Sequence, residues 1–502
     1  MISKDEAQET VLAVAKRLGY TRKEILDKLD PEDRRELEED LRSTREIAAH
    51  SIKRLAKDLY ASGARFVFEL LQNADDNKFS LARESGTVPF INFKVYSHRI
   101  VIDYSEDGFS VEDLKAICDV RSSTKSGSYG YIGAKGIGFK SVFIAAWKVH
   151  IQSGPFSFYF EHKKGDRGLG MIAPIWQDPI EELESPLTRM TLHLHDQGSQ
   201  DELEHLRAMI IEQLDDVRPT CLLFLRKLRR IRVTFFDEQG QPERARELGH
   251  SDVVGRSVVL ETVLTDGAGN ETRENRYYHV TRYTAKSLAP SQNRDVQNTG
   301  TTSEVSPTAE VVLAFPLTAD RQPLIERQEL FAFLPVKESG FKFLIHPDFD
   351  TAGNREDIST TSRRNIALRD AIAITFVQAV LEFCEHGDLC YTWSKFLPLS
   401  NVTDKFWSKL SNRIKSHFDV HPVLRSRHRS HLRKIQDVVV LAISDQDEHG
   451  EPPFDDRNAD PYLSGRYRPE VFEHLRCTAS TIRHPKCSWN SCVMTSLARR
   501  QR

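Results

Sequence analysis

At 502 residues and 39% hydrophobic content, the chain can bury more than one core, so two or three domains are expected. Its formal net charge is only −3, with acids and bases interspersed, which gives no reason to expect nucleic acid or an anionic membrane as the main partner. The start "MISKDEAQET" lacks an apolar signal core, no run of about 18 apolar residues occurs, and seven largely isolated cysteines suit a reducing compartment, so a soluble intracellular protein with buried thiols is expected.

From residue 3 to about 59 the pattern is helical and dense in charge, broken near "DPEDRR", where Pro31 can start a helix behind an Asp30 cap. The helical pattern leads into "FELLQNADDN" (68–77). Next, "INFKVYSHRIVIDYSEDGFS" alternates apolar and polar residues and reads as a hairpin turning at 97–99, with a helix over 111–120 behind it. "RSSTKSGSYGYIGAKGIGFKSVF" passes from glycine and small polar residues into an apolar run, the pattern of a loop feeding a helix. Strands are expected at "KVHIQS", "FSFYFEH" and "RMTLHLHD", then a helix over 201–214.

A second unit is expected to start near Cys221 with "CLLFLRKLRRIRVTFF" and to run through "YYHVTRY". The polar stretch 285–309 reads as a mobile insertion. Strands resume at "EVVLAFPL", "LFAFLPV" and "FKFLIHP", a helix covers 365–385, and from about residue 403 the chain reads as helical and basic around "RSRHRSHLRK". The expected layout is therefore an N-terminal helical extension (1–44), an α/β unit (45–215), a second α/β unit (216–400) and a helical, charged C-terminal region (401–502).

Within the first motif, Glu69, Asn73 and Asp76 share one helix face, opposite an apolar stripe of Val67, Leu71 and Ala74. A carboxylate one turn from an amide can accept a proton from water while the amide oxygen holds a cation. The plain alternative is a solvated helix face. In "IGAKGIGFKS", Gly133, Gly136 and Gly138 allow close backbone approach to an anion; a flexible loop is the plain alternative.

Taken in order, these segments resemble the GHKL superfamily of ATPases, "FELLQNADDN" being similar to its N-box and "GYIGAKGIGFKSVF" to its second glycine box. The likeness is to the chaperone-like ATPase regions of the sacsin and NO VEIN type, spans roughly residues 45–397, and extends to "FLPVKESGFKFLIHPDFDTAGNREDI". It implies an α+β fold: a Bergerat-type sandwich with a mixed sheet covered by helices on one face, then a transducer-like α/β domain. It also implies ATP and Mg²⁺ as cofactors. By the resemblance, Glu69 is the general base, Asn73 the Mg²⁺ ligand and Asp76 a nucleotide-positioning residue. Gly133, Lys135, Gly136, Ile137, Gly138 and Phe139 line the phosphates, and Ser123 and Lys125 belong to the lid at 122–126. Thr188, in "LTRMTLHL", matches the threonine that supports the adenine-binding carboxylate.

The first glycine box departs from the family, since "IDYSEDGFS" offers only Gly108. Direct alignment on Gly108 puts Tyr104 where the adenine-reading aspartate belongs, and a one-residue shift supplies Asp103. Arg355, in "GNREDI", resembles the arginine that reaches the γ-phosphate in the chaperone family; a surface ion pair is the alternative.

These features favour an ATP-binding, ATP-hydrolysing conformational switch with an unidentified protein client, and the resemblance allows a homodimer. The alternative is an inactive scaffold that keeps the fold. A histidine kinase would need an acceptor histidine in a different setting from His50, and no nuclease or DNA-cleavage motif is visible. The basic run 425–434 lacks interleaved aromatics and reads as a solvated helix face, while Cys477, His484, Cys487 and Cys492 fit no paired zinc spacing.

Overall fold

Ser3 and Glu6 decide where the first helix starts. The Ser3 hydroxyl accepts from the Glu6 N–H at 3.2 Å and the Glu6 carboxylate accepts from the Ser3 N–H at 2.7 Å, a capping box. The helix, α1 (Lys4–Arg17), buries Ala7, Val11, Val14 and Ala15, at helical spacing. The computed structural model describes residues 2–20, 29–36, 39, 66–118, 138–163, 169–179, 181–184, 187–253, 255–290, 308–332, 334–338, 340–350, 358–398, 404–428, 431–441, 446–449, 460–468 and 471.

The chain divides into two compact units. The first holds Met1–Ser251 and Leu260–Asn275, and the second holds Asp252–Val259, Arg276–Ala289 and the residues from Glu304 onward. After α1, the first unit contains α2 (Phe66–Asp76), β1 (Phe90–Val95), β2 (Arg99–Tyr104), α3 (Val111–Cys118) and a 3-10 helix, Gly138–Ile144. It continues with β3 (Ala146–Ser153), β4 (Phe156–Glu161), β5 (Ile175–Trp176), β6 (Thr188–Leu194), α4 (Gln200–Asp215), β7 (Arg230–Phe236) and β8 (Pro242–Asp252). Its sheet runs β8-β7-β1-β2-β6-β3-β4-β5, mixed because β1 and β7 are parallel while the other pairs are antiparallel.

Two expected boundaries move. The first unit continues through Ser251 rather than ending near 215, because β7 pairs with β1 over 90–95 and 230–235 and so belongs to the same sheet. Helix α1 is no separate extension either, since it packs on α3, β4 and β5. The expected hairpin, the helix at 111–118 and the strands at 146–153, 156–161 and 188–194 stand close to where hydrophobic alternation put them.

Strands β9 (Ser257–Asp266) and β10 (Glu271–Ala285) contribute residues to both units. The second unit adds β11 (Ala309–Leu317), β12 (Glu329–Ala332), β13 (Leu334–Glu338), β14 (Leu344–Pro347), α5 (Arg363–Cys384) and α6 (Lys405–Phe418). Its strands run β10-β11-β14-β12-β13, and α5 packs on β11 and on α6. One apolar core joins Phe315, Phe343, Phe376, Phe383 and Phe396 to Trp407, Leu424 and Leu463, so described residues on both sides of position 401 share it.

A polar network lies beside that core. Glu382 on α5 accepts from His279 Nε2 at 2.9 Å and Thr281 Oγ1 at 2.6 Å on β10, and from Gln378 at 3.0 Å; Arg256 Nε lies 3.1 Å from its second oxygen.

None of the described residues of the basic run, 425–428 and 431–434, is helical. Leu424–Arg425 pairs antiparallel with Leu432–Arg433, and the buried Ser426 hydroxyl accepts from the His431 N–H at 3.0 Å. The run has no apolar residues at helical spacing, whereas Leu424 and Leu432 suffice to seat a short ladder. Among the described residues, no helix is long and apolar enough to cross a membrane, and Cys118, Cys221, Cys384 and Cys390 are buried.

Candidate functional site

Helix α2 buries nine of its eleven residues; the two exceptions are Glu69 and Asn73. Four residues apart, they stand one turn from each other on the same side. The apolar stripe Val67, Leu71 and Ala74 is buried as the periodicity requires, but Asp76 is buried too, at 2% exposure, rather than continuing the open face.

The C-terminal end of α2 is fastened from one neighbouring turn. The Asp75 carboxylate accepts three backbone N–H groups: Arg226 at 2.8 Å on Oδ2, and Lys227 at 2.8 Å and Leu228 at 2.9 Å on Oδ1. Lys227 Nζ returns two bonds, to the carbonyls of Asp76 at 2.9 Å and Asn77 at 2.6 Å, where a helix leaves acceptors without intrahelical donors. Neither Asp75 nor Lys227 was singled out by motif reading. A signal existed: Asp75 sits four residues after Leu71 and seven after Phe68, on the buried side.

A chain of hydrogen bonds runs from this helix end to the other motifs. Asn77 Nδ2 donates to the Glu106 carboxylate, in the loop that follows β2. In that loop Asp107 accepts from the Leu81 N–H at 2.9 Å; burial alone would raise its carboxyl, but the bonds from Leu81 and Ser80 outweigh it and hold the pKa below the ordinary value. Gly108 has φ +95°, a left-handed conformation that glycine adopts without strain. The next N–H, of Phe109, donates to Ser153 Oγ at 2.8 Å, and that hydroxyl lies 2.6 Å from Thr188 Oγ1. Thr188 is fully buried.

Register separates the two candidates for the adenine reader. Tyr104, Thr188 and Ser153 lie opposite one another across β2, β6 and β3, so they share a face with the buried Ile102, Met190 and Ile151. Asp103 aligns with Arg189 and Gln152 on the other face. There its oxygens meet Arg189 Nε at 2.6 Å, Arg189 Nη2 at 3.1 Å and Lys94 Nζ at 2.8 Å, and Arg189 also pairs with Glu181. Burial acts to raise the Asp103 carboxyl; the bonds and charges of Arg189 and Lys94 win and lower it. Burial also drives the Tyr104 phenol well above its usual value, with Glu106 and Asp103 adding to the effect.

The 3-10 helix Gly138–Ile144 packs against α2 and begins where the second glycine box ends. Phe139 is buried with its ring 5.8 Å from Phe160. Lys140, unassigned by motif reading, is 1% exposed, donates to the carbonyls of Ile117 at 2.7 Å and Met171 at 2.5 Å, and lies 4.6 Å from the Phe160 ring centre. Burial lowers its pKa to about 8. Ser123, Lys125, Gly133, Lys135, Gly136, Ile137 and Arg355 lie outside the described residues, as do Cys477, His484, Cys487 and Cys492. Among the described residues, no group of three or more His, Cys, Asp and Glu could hold a metal ion.

The described motifs thus meet: the acid/amide helix, the Gly108 loop and Thr188 are joined through Asn77, Glu106, Phe109 and Ser153, and the end of the glycine box packs on the same helix. No family model matches the chain. It is 31% identical over 389 residues to protein NO VEIN of Arabidopsis thaliana, a match covering 72% of this chain and 13% of that protein. The chain therefore corresponds to a small part of the curated relative's length.

Proposed function

The chain is NO VEIN-like in sequence over most of its length, and from that premise we propose that its first unit is a Bergerat-type ATP-binding and ATP-hydrolysing module of a chaperone-like conformational switch. The observation that carries the reading is the isolation of Glu69 and Asn73 as the half-exposed pair on an otherwise buried helix. A helix with a purely structural role would place apolar or loosely ordered charged groups there.

In this reading the Glu69 carboxylate is the group that would take a proton from the attacking water, and the Asn73 side-chain oxygen is the one that would hold Mg²⁺. The bound cation would neutralise charge on the phosphates. An amide oxygen beside a carboxylate suits that hard cation, which keeps most of its shell from water and phosphate oxygens and needs no protein cage. Gly108 lets the loop after β2 approach a ligand without a side chain, and Thr188 holds that loop through Ser153. Asp103 would not read adenine, since both its oxygens already serve Arg189 and Lys94; Tyr104 and Thr188 are on the face that could.

That same feature supports a second reading. With no carboxylate at the Tyr104 position, adenine selectivity is weakened, and the module could serve as a scaffold that keeps the fold without turnover. Calorimetric titration with ATP and Mg²⁺, beside phosphate release, separates the two. Wild type and Glu69→Ala should bind, Asn73→Ala should not, and only wild type should release phosphate. Absence of wild-type binding at millimolar nucleotide would replace the ATPase reading with the scaffold.

A further inference from the structure

Asp75 is a buried carboxylate at 1% exposure whose three hydrogen bonds all go to successive backbone N–H groups of one turn, 226–228. A staple needs less. An asparagine could supply one oxygen, but its NH₂ would face a donor at the second oxygen's place, so the turn accepts an aspartate and little else. At 100° per residue, Asp75 projects about 200° around the helix from Asn73 and about 240° from Glu69. The clamp therefore grips α2 on the side opposite the half-exposed pair, and Lys227 Nζ holds the same end by the carbonyls of Asp76 and Asn77.

We infer that Asp75, with the 226–228 turn, is a positioning residue for the hydrolytic step, fixing the angle and height at which α2 presents Glu69 and Asn73. The inference rests on the ATPase reading. Rotation or sliding of a helix by about 1 Å is enough to take a general base out of reach of its water, while binding contacts spread over several elements survive it. Because the turn leads directly into β7, the grip also makes the backbone amides of 226–228 reporters of what happens on the opposite side of the helix.

The test uses the full chain with Asp75→Glu and Asp75→Asn. Asp75→Glu keeps the charge and both acceptors but lengthens the side chain by one methylene, so it displaces the helix without removing the clamp. Calorimetry with ADP and Mg²⁺, phosphate release per folded molecule, melting temperature and amide exchange at 226–228 are measured together. The expected result is ADP affinity within about threefold of wild type, phosphate release down at least tenfold, and slower exchange of the Arg226, Lys227 and Leu228 amides when ADP binds wild type. Unchanged turnover in Asp75→Glu, with exchange at 226–228 indifferent to ADP, would make the clamp a staple only and overturn the inference. If Asp75→Asn fails to fold, Asp75→Glu and the wild-type exchange data still decide. Failure of wild type to bind ADP at all would overturn the nucleotide reading, and this inference with it.

Discussion

Asp103 and Arg189 face each other across β2 and β6, and the carboxylate takes both Nε at 2.6 Å and Nη2 at 3.1 Å from the same guanidinium. With Lys94 on the carboxylate as well, the pair is a structural knot in the sheet. Asp103→Asn should lower stability by about 3 kcal/mol at neutral pH, the usual cost of breaking a buried pair, with nucleotide affinity unchanged. Its folded pKa is lowered, so the contribution is complete above the unfolded carboxylate value near 4 and disappears as pH falls through the folded one. Urea unfolding of both proteins at pH 7 and pH 2.5 checks this: the difference should shrink on acidification.

Lys140 shifts stability in the same direction with pH, in an alkaline window. Its pKa falls from 10.5 to about 8 on burial, so between those values the unfolded chain holds a proton that the native one has released. Stability from this group rises with pH across that window, on the order of 3 kcal/mol. Lys140→Met should remove the rise. Denaturant midpoints at pH 7.5 and 10, compared between the two proteins, isolate the effect.

Gly108 has φ +95°, and a methyl group there would meet nothing nearer than 3.7 Å. The cost of Gly108→Ala is therefore conformational rather than steric, about 1–2 kcal/mol. The loop between Asn77 and Ser153 should loosen with it. Faster amide exchange at Phe109, whose N–H bonds Ser153, is the expected readout.

In the second unit, Glu382→Ala would leave His279 and Thr281 buried without their acceptor. A loss of about 2–3 kcal/mol is expected. Exchange protection around β10 and α5 should fall while α2 keeps its protection; a loss at α2 would contradict the division into units.

Much of the first unit is legible in the chain because its signals are local. The alternation in 90–104 and 188–194 gives the strands, and the spacing of Phe68, Leu71 and Asp75 marks a buried side of α2. Composition alone misled at the basic run, whose Arg425, Leu432 and Arg433 belong to a short ladder with Leu424 rather than to a helix face, since charge carries no period.

What the sequence by itself determined is the set of polar groups and their helical or strand phase: Glu69 with Asn73 on one side of a helix, Asp103 and Tyr104 on opposite faces of a strand. Phase is set by neighbours within a few residues, through 3.6- and 2-residue periods. Only tertiary structure decided which of those groups are already engaged. Asp103 is held by Arg189, 86 residues on, and Asp75 by a turn 151 to 153 residues on. Such pairings depend on which strands become neighbours, here β2 with β6 and β1 with β7, and that order is fixed by burial of the whole sheet rather than by any local spacing.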